Sequence, residues 1–208
     1  MTVIVPIVEG HSEVAGVPEL LRRLLAEFGS YRITIARPFR VKRNRVTRPG
    51  EIERGVVQAI RSRQGAAAVI VILDGDDDDP AVLGPQLLER CRGATALPVS
   101  VVLARRELEA WFLGAKESLR GFRGIRDDAV APPDPESIRG AKERLTQNMA
   151  RRGYVEVDDQ PAFASRFDLV QARARCPSFE LLVRELKALV ALLEGSPAES
   201  SNRREPDA

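Results

Sequence analysis

The sequence has very few residues of the kinds that build zinc sites, disulfide frameworks or serine-type catalytic triads. It has 208 residues, with two cysteines, Cys91 and Cys176, and one histidine, His11. Two cysteines without a CxxC spacing do not make a disulfide scaffold, and one histidine is too few to complete a Cys/His zinc site. A Ser-His-Asp triad would depend entirely on His11. We therefore expect the chemistry to come from other side chains.

Long apolar runs and several common motifs are also missing. No apolar stretch approaches the roughly 20 residues that a membrane-spanning helix needs. The N-terminus lacks the charged segment and apolar core of a secretory signal. There is no GxxxxGK[ST] phosphate loop, no GxGxxG after a strand and no GxSxG elbow. We expect a soluble, cytoplasmic protein that does not associate with membranes.

The composition indicates one sizeable core and a charge that is nearly balanced. Hydrophobic residues make up 44% of the chain, and the formal net charge is +2, so bulk charge does not argue for nucleic acid. The basic residues are nearly all arginine, apart from Lys42, Lys116, Lys142 and Lys187. Arginine suits phosphate and carboxylate groups better than lysine does, although a GC-rich genome gives the same bias.

The most informative stretch is an apolar run that ends in carboxylates. Residues 67–73 are small and β-branched, which is typical of a strand buried on both faces, and Asp74-Gly75-Asp76 follows at once. Parallel sheets bind ligands beyond the carboxyl ends of their strands. Two charges about 4 Å apart repel by roughly 4 kcal/mol at an effective dielectric near 20, so converging acids favour a bound cation. Oxygen ligands suit Mg²⁺, Mn²⁺ or Ca²⁺.

The alternative is a solvated acidic turn that caps the next helix, and it applies above all to Asp77, Asp78 and Asp79. For Asp74, at the end of the strand itself, we favour a site. A phosphatase that uses Asp74 as its nucleophile also fits this motif taken alone.

Alternating strands and helices predict an α/β fold. We expect strands at residues 2–8, 31–36, 67–73 and 98–104, and helices at 13–28, 49–63, 85–93 and 105–113. The order predicts an open, mainly parallel four-stranded sheet flanked by helices. Ser12 is the expected N-cap of the first helix. The third helix is predicted to begin at Pro85, because Gly84-Pro85 should break a helix that begins earlier.

The pattern changes after Gly121, which divides the chain into three parts. We expect an α/β domain over residues 1–120, a helical C-terminal subdomain over 121–194 and a disordered tail over 195–208. Within the subdomain we predict a linker at 127–135, a surface helix at 137–152, irregular structure at 153–177 and a last helix that Ser178 caps.

Acidic residues distant in sequence should meet at one edge of this sheet. Glu9 follows the first strand, Asp74 ends the third, and Glu107 and Glu109 follow the fourth. Asp76 would turn toward the same edge on an extended exit. Glu107 and Glu109 can both reach the site only if their helix begins late, because residues two apart on a helix point in different directions.

Three other side chains near these acids have two interpretations each. His11 could be a ligand or an acid/base, but a lone loop histidine is more often neither. Trp111 and Phe112 are expected to anchor their helix to the core rather than to stack on bases.

The segment at residues 37–48 is the most basic part of the chain. Apolar Phe39, Val41 and Val46 alternate with its cations. A basic loop with apolar anchors suits a nucleic-acid backbone, whereas the alternative is a solvated loop that balances the acids. The candidate nucleic-acid contacts are Arg40, Lys42, Arg43, Arg45 and, from the loop after the fourth strand, Arg106.

Two motifs resemble the Toprim domain, which topoisomerases, primases and OLD-family nucleases share. They are Val8-Glu9-Gly10-His11-Ser12-Glu13 after the first strand and Asp74-Gly75-Asp76 after a later one. Further runs resemble the Toprim-like bacterial family of domains of unknown function DUF4276: Arg106-Glu107-Leu108-Glu109-Ala110-Trp111-Phe112-Leu113, Ala141-Lys142-Glu143-Arg144-Leu145 and Cys176-Pro177-Ser178-Phe179. Together they cover residues 1–190. The acidic run after Asp74 is longer than the usual Asp-x-Asp, which can shift the acid that binds a second ion.

The resemblance implies a Toprim-like fold and Mg²⁺- or Mn²⁺-dependent phosphodiester hydrolysis by a nuclease. It implies that Glu9, Asp74 and Asp76 hold metal, with Glu13 and either Glu107 or Glu109 completing a second site. Lys142 or Arg106 would neutralise the transition-state phosphate.

The resemblance also implies partners, namely nucleic acid (DNA rather than RNA) and an ATPase of the AAA or ABC type encoded nearby, in a phage-defence system. The alternative from another class is a non-catalytic regulatory subunit with a vestigial metal site. The sequence leaves the oligomeric state open.

Overall fold

Five parallel strands form one sheet in the computed structural model, which describes residues 2–195 of the chain. They are β1 (Thr2–Val8), β2 (Ile33–Ile35), β3 (Phe39–Arg40), β4 (Ala66–Asp74) and β5 (Val99–Ala104). The order is β2-β1-β4-β5, and β3 also pairs with β1, beyond the end of β2. The predicted parallel α/β sheet is confirmed. The additional strand comes from the basic segment, which we had predicted as a loop.

Helices cover both faces of the sheet. Within residues 2–195 they are α1 (Glu13–Glu27), α2 (Arg43–Val46), α3 (Glu51–Arg61), α4 (Pro80–Ala94), α5 (Glu109–Gly114), α6 (Ala141–Gln147), α7 (Glu156–Ala164), α8 (Leu169–Arg175) and α9 (Pro177–Gly195). None of these helices is long and apolar enough to cross a membrane. The side chain of Arg43 and residues 196–208, most of the predicted tail, lie outside the described part.

The strand β4 supplies side chains alternately to two hydrophobic cores, because successive side chains of a strand point to opposite faces. Val69, Val71 and Leu73 belong to the core under α3 and α4. Ala68, Ile70 and Ile72 belong to the other core. That second core is larger, because the C-terminal segment packs against α1 and α5 there. Its aromatic residues are Trp111 and Phe112 of α5 and, from the C-terminal segment, Phe163, Phe167 and Phe179.

The prediction for the start of α4 is wrong. The helix begins at Pro80, not at Pro85, because the Asp79 side chain accepts a hydrogen bond of 2.9 Å from the Ala81 N–H and caps it. Proline at the first helical position loses nothing, since that N–H has no helical partner. Pro85 lies inside the helix on its exposed side. Leu87 and Cys91 face inward.

The C-terminal helices also differ from the prediction. Residues 153–177 are not irregular, because they contain α7 and α8, and the helix expected at 137–152 is only α6, Ala141–Gln147. Ser178 lies inside α9, where its hydroxyl forms hydrogen bonds with the side chains of Trp111 and Glu136 instead of capping the helix. Short helices with little apolar periodicity give a weak sequence signal, and Pro161 inside α7 weakens it further.

Replacing Asp79 tests the observed start of α4. Asp79→Ala should lower the free energy of unfolding by about 1 kcal/mol, because the first turn loses its cap. Asp79→Ser, which can still cap, should stay close to wild type. Urea denaturation measures both variants. Equal stability of Asp79→Ala and wild type would mean that the helix begins further along the chain.

Candidate metal centre

Four acidic side chains come together beyond the carboxyl ends of β1 and β4. Glu9 follows β1, Glu13 opens α1, Asp74 ends β4 and Glu109 opens α5. We call these four the acid cluster. Asp74, Glu13 and Glu109 are 6%, 5% and 0% exposed, respectively. The backbone N–H of Leu108 donates to Asp74 Oδ1 over 2.8 Å. All four residues were candidate metal ligands.

Glycine at position 10 lets the chain turn tightly around Glu13. The Gly10 N–H donates to the Glu13 carboxylate. A Cβ at position 10 would lie 2.6 Å from Glu13 Oε2, which is closer than atoms can pack. Any larger residue would therefore push the Glu13 carboxyl away from the cluster.

The positive charge near the cluster does not fully compensate its acids. Burial raises the pKa of Asp74 well above its ordinary value, and the charges of Glu109, Glu13 and Glu9 raise it further. Burial likewise raises the pKa of Glu109 to about 7 and raises that of Glu13. Carboxyl groups perturbed in this way by burial and by one another are typical of functional sites.

Lys142 on α6 is the cation closest to the acid cluster that the contacts identify. Its Nζ lies 4.0 Å from Glu109 Oε2 and 3.4 Å from Glu156 Oε2. Burial lowers the pKa of Lys142, but the charges of Glu109, Asp74 and other acids outweigh burial and raise that pKa above its ordinary value. Lys142, predicted as a catalytic residue, therefore stands charged beside the predicted metal ligands.

The C-terminal helices contribute residues that the sequence analysis missed. The Ser12 hydroxyl donates to Glu156 Oε1 over 2.6 Å. Glu109 Oε1 accepts hydrogen bonds from the Tyr154 hydroxyl, over 3.1 Å, and from Gln160 Nε2, over 3.2 Å. Glu109 Oε2 is buried without a hydrogen-bond donor. The acidic residues at the start of α7 were the signal that could have revealed this helix.

Asp76 and Glu107 lie at the rim rather than in the acid cluster. Glu107 accepts hydrogen bonds from the N–H groups of Ala141 (3.1 Å) and Lys142 (3.4 Å) at the start of α6. Asp76 is exposed, with a positive φ of 50°, and its N–H donates to the Arg106 carbonyl. The two acids share a small cavity of about 160 Å³. Although α5 begins late, at Glu109, only Glu109 of the two acids reaches the acid cluster.

The rest of the acidic run makes local contacts. Asp77 forms ion pairs with Arg106 (3.3 Å) and Arg139 (2.6 Å), and Asp79 caps α4. The structural interpretation of the acidic turn therefore holds for Asp77 and Asp79. Arg106 was a candidate for phosphate and nucleic-acid contacts, and its guanidinium group forms an ion pair with Asp77.

A basic groove adjoins the acid cluster. The basic segment lines one side of a cavity of about 490 Å³ with Phe39, Val41, Arg40, Lys42 and Arg45, and α3 closes the other side with residues that include Glu51 and Arg54. Arg40 pairs with Val8 at the end of β1, and its charge lowers the pKa of Glu13 against the effect of burial. Lys42 and Arg45 are exposed. The basic segment thus leads directly to the acids.

The aromatic residues of α5 belong to the core, as expected. Trp111 and Phe112 are fully buried, and Trp111 Nε1 donates to Ser178 Oγ over 2.8 Å. Ser178 Oγ in turn donates to the buried Glu136 carboxylate. These contacts tie α5 to α9 and leave no aromatic face for a base. His11 is exposed.

The donor set suits a hard divalent cation, although its geometry is not that of a closed site. Among residues 2–195, no three carboxyl, thiol or imidazole side chains are placed so that they could already hold a metal ion. The acid cluster nevertheless offers only oxygen ligands, which Mg²⁺ and Mn²⁺ prefer. The buried Glu109 Oε2 has no hydrogen-bond donor. By the chemistry of their ligand atoms, the residues of the acid cluster therefore fit such an ion.

Comparison with known proteins identifies one family. The model of a family described as a domain of unknown function, DUF4276, matches residues 8–187. A solved structure, the C-terminal region of the OLD protein of Xanthomonas campestris pv. campestris, aligns with 93% of this chain and 98% of its own length. Its sequence identity is 16% and the TM-score is 0.40. A search of curated proteins gave no match.

The raised pKa of Glu109 predicts how stability depends on pH. Its pKa of about 7 in the folded protein exceeds the ordinary 4.5, so its contribution is fully present below pH 4.5 and is lost as the pH rises through 7. Glu109→Gln cannot ionise and should gain stability over wild type, by no more than about 3 kcal/mol, between about pH 5 and about pH 8. Urea denaturation in EDTA measures this difference.

Glu53 provides the control for this experiment. A hydrogen bond from Arg90 lowers the pKa of Glu53, so Glu53 is ionised in the folded protein from about pH 5 to about pH 8 and is largely ionised in the unfolded chain as well. The stability difference between Glu53→Gln and wild type should stay constant over this range. A constant difference for Glu109→Gln as well would contradict a raised pKa at Glu109.

Proposed function

This chain belongs to the DUF4276 family, and we propose that it hydrolyses phosphodiester bonds of nucleic acid with Mg²⁺ or Mn²⁺. The observation that carries the proposal is the acid cluster, buried, short of positive charge and adjoining a basic groove. Acids in such surroundings bind cations, and exposed basic grooves bind polyanions. Arg40 acts electrostatically on Glu13, so a phosphate held by the groove would lie near the proposed metal ion.

The acid cluster would hold the ion through the carboxylates of Glu9, Glu13, Asp74 and Glu109. Asp76 and Glu107 share a neighbouring cavity and could serve a second ion. Divalent cations in such sites activate water and stabilise charge on phosphate oxygens. Asp74 would act as a ligand rather than as a nucleophile, because it is buried and the Leu108 N–H occupies one of its oxygens.

The other residues would orient and neutralise the substrate. The basic groove, with Arg40, Lys42 and Arg45, would hold the phosphate backbone on the side of β1 next to the acids. Arg43 was predicted to take part, but its side chain lies outside the described residues. Lys142 would neutralise phosphate charge.

We further propose a DNA substrate, an AAA- or ABC-type ATPase partner and a cytoplasmic role in phage defence. This part rests on the resemblance of Glu9 and Asp74-Gly75-Asp76 to the motifs of OLD-family nucleases. A second candidate is a non-catalytic subunit that retains the fold without the chemistry. The ion pair between Lys142 and Glu109 favours the non-catalytic subunit, because the lysine of the protein itself already compensates part of the charge of the acids.

Cleavage assays test the proposed nuclease. Wild type should cut DNA with Mn²⁺ or Mg²⁺ and should be inactive in EDTA. Asp74→Asn and Glu9→Gln should each lose more than about 100-fold, since even outer-shell partners of metal ligands cost roughly 10- to 100-fold. Asp127→Asn, which removes an exposed acid outside the cluster, is the control. Undiminished activity of both cluster variants would exclude the proposed site.

Salt dependence tests the basic groove. The double variant Lys42→Gln/Arg45→Gln should bind DNA more weakly in EDTA. The slope of log affinity against log salt should fall by up to about 2, because each phosphate contact contributes roughly 0.9. Arg61→Gln, which removes an exposed cation outside the groove, should leave the slope unchanged. An unchanged slope in the double variant would place DNA elsewhere.

A further inference from the structure

Lys142 is an internal cation that stands between two sets of acids. On one side its ammonium group lies 4.0 Å from Glu109, which belongs to the acid cluster. On the other side it lies 3.4 Å from Glu156, which does not. The Glu109 side chain is 1% exposed and that of Glu156 is 38% exposed. Lys142 therefore has one buried acceptor and one at the surface.

Glu156 is fixed in place independently of Lys142. Its Oε1 accepts the hydrogen bond of 2.6 Å from Ser12, in the turn between β1 and α1, and its Oε2 faces Lys142. The helix α7, which begins at Glu156, packs against α1. The position of Glu156 is thus fixed, and its carboxylate can maintain an ion pair with Lys142 after the ion pair between Lys142 and Glu109 breaks.

The backbone of Lys142 is held while its side chain can turn. Its N–H donates to Glu107 at the first turn of α6. The four-carbon stem of lysine is flexible, and its ammonium group can move between acceptors without a change in the backbone. The movement required is small, because the ammonium group already contacts both carboxylates.

We propose that Lys142 is the counter-ion of the acid cluster in the metal-free protein, and that it leaves Glu109 for Glu156 when a divalent cation binds. This inference rests on the proposed function. Without metal, the ammonium group keeps the buried acids from facing one another uncompensated. When the metal ion is bound, the Lys142 ammonium group and the ion repel each other at short range, so both cannot contact the Glu109 carboxylate. The moved ammonium group then faces the surface, where a phosphate would arrive.

Binding of Mn²⁺ alone, measured by calorimetry, tests the competition. Lys142→Met keeps the stem and removes the charge, so it should bind Mn²⁺ roughly tenfold more tightly than wild type. Arg144→Met removes an exposed charge from the same helix, outside the cluster, and should bind as wild type does. Equal affinity of Lys142→Met and wild type, or an equal gain in both variants, would overturn the inference.

The variant Glu156→Gln separates competition from simple charge effects. With Lys142 present it should weaken Mn²⁺ binding several-fold, because the ammonium group loses its second acceptor and stays on Glu109. In a Lys142→Met background the same change should have little effect. An equal loss in both backgrounds would show that Glu156 acts on the ion directly and would overturn the proposed exchange. If Lys142→Met does not fold, unchanged affinity of Glu156→Gln alone would overturn it.

Thermal unfolding provides a readout that does not depend on activity. In EDTA, Lys142→Met should melt below wild type, and saturating Mn²⁺ should remove much of that difference. Absence of Mn²⁺ binding in every variant, wild type included, would reject the proposed function and this inference together. Binding of equal strength with and without Lys142 would reject the inference alone.

Discussion

Buried carboxylates repel one another, and the sheet topology forces this repulsion on the protein. Because β1 and β4 are neighbouring parallel strands, Glu9 and Asp74 at their ends must lie at the same edge. Glu13 and Glu109 open the helices that follow β1 and β5, so they arrive there too. The fold offsets part of the cost with donors, among them the Leu108 N–H and the Gly10 N–H. The pKa of Asp74 nevertheless stays well above its ordinary value. An arrangement that costs stability in this way is what a binding site for a cation requires.

The C-terminal helices form part of this site, because they position polar side chains next to the acid cluster. Their aromatic residues fill the larger core, where Phe163 and Phe167 pack edge-on against Phe112 of α5. This packing fixes α7, and with it Glu156, opposite the turn after β1. The ring of Tyr154 also packs near Phe163, and its hydroxyl reaches Glu109. The hydrophobic packing of the aromatic residues therefore determines which polar side chains, Glu156 and Tyr154 among them, lie next to the acid cluster.

The sequence predicts four of the strands and the convergence of Glu9, Asp74 and Glu109, because apolar β-branched runs are strong signals and parallel strands share their ends. It misplaces Asp76 and Glu107, which lie at the rim, and it does not predict β3. It allows Glu107 and Glu109 to reach the site together only if their helix begins late; α5 does begin late, at Glu109, yet only Glu109 joins the acid cluster. It does not predict Glu156 as a neighbour of Ser12, since the two are 144 positions apart and no local pattern encodes that contact. It misses the start of α4, where one cap at Asp79 outweighs the breaking tendency of Gly84-Pro85. Local propensity fails where a single hydrogen bond or tertiary packing decides.

The short strand β3 couples the two halves of the proposed function. Its pairing of Arg40 with Val8 brings the basic groove to the end of β1, one residue before Glu9. A polyanion in the groove would approach carboxylates and be repelled by them. A divalent cation in the cluster would reverse the sign of that interaction, so the proposed ion and nucleic acid should each favour binding of the other. Such coupling is reciprocal by linkage. The proximity of opposite charges at this edge would thus let the proposed cation strengthen substrate binding as well as supply the chemistry.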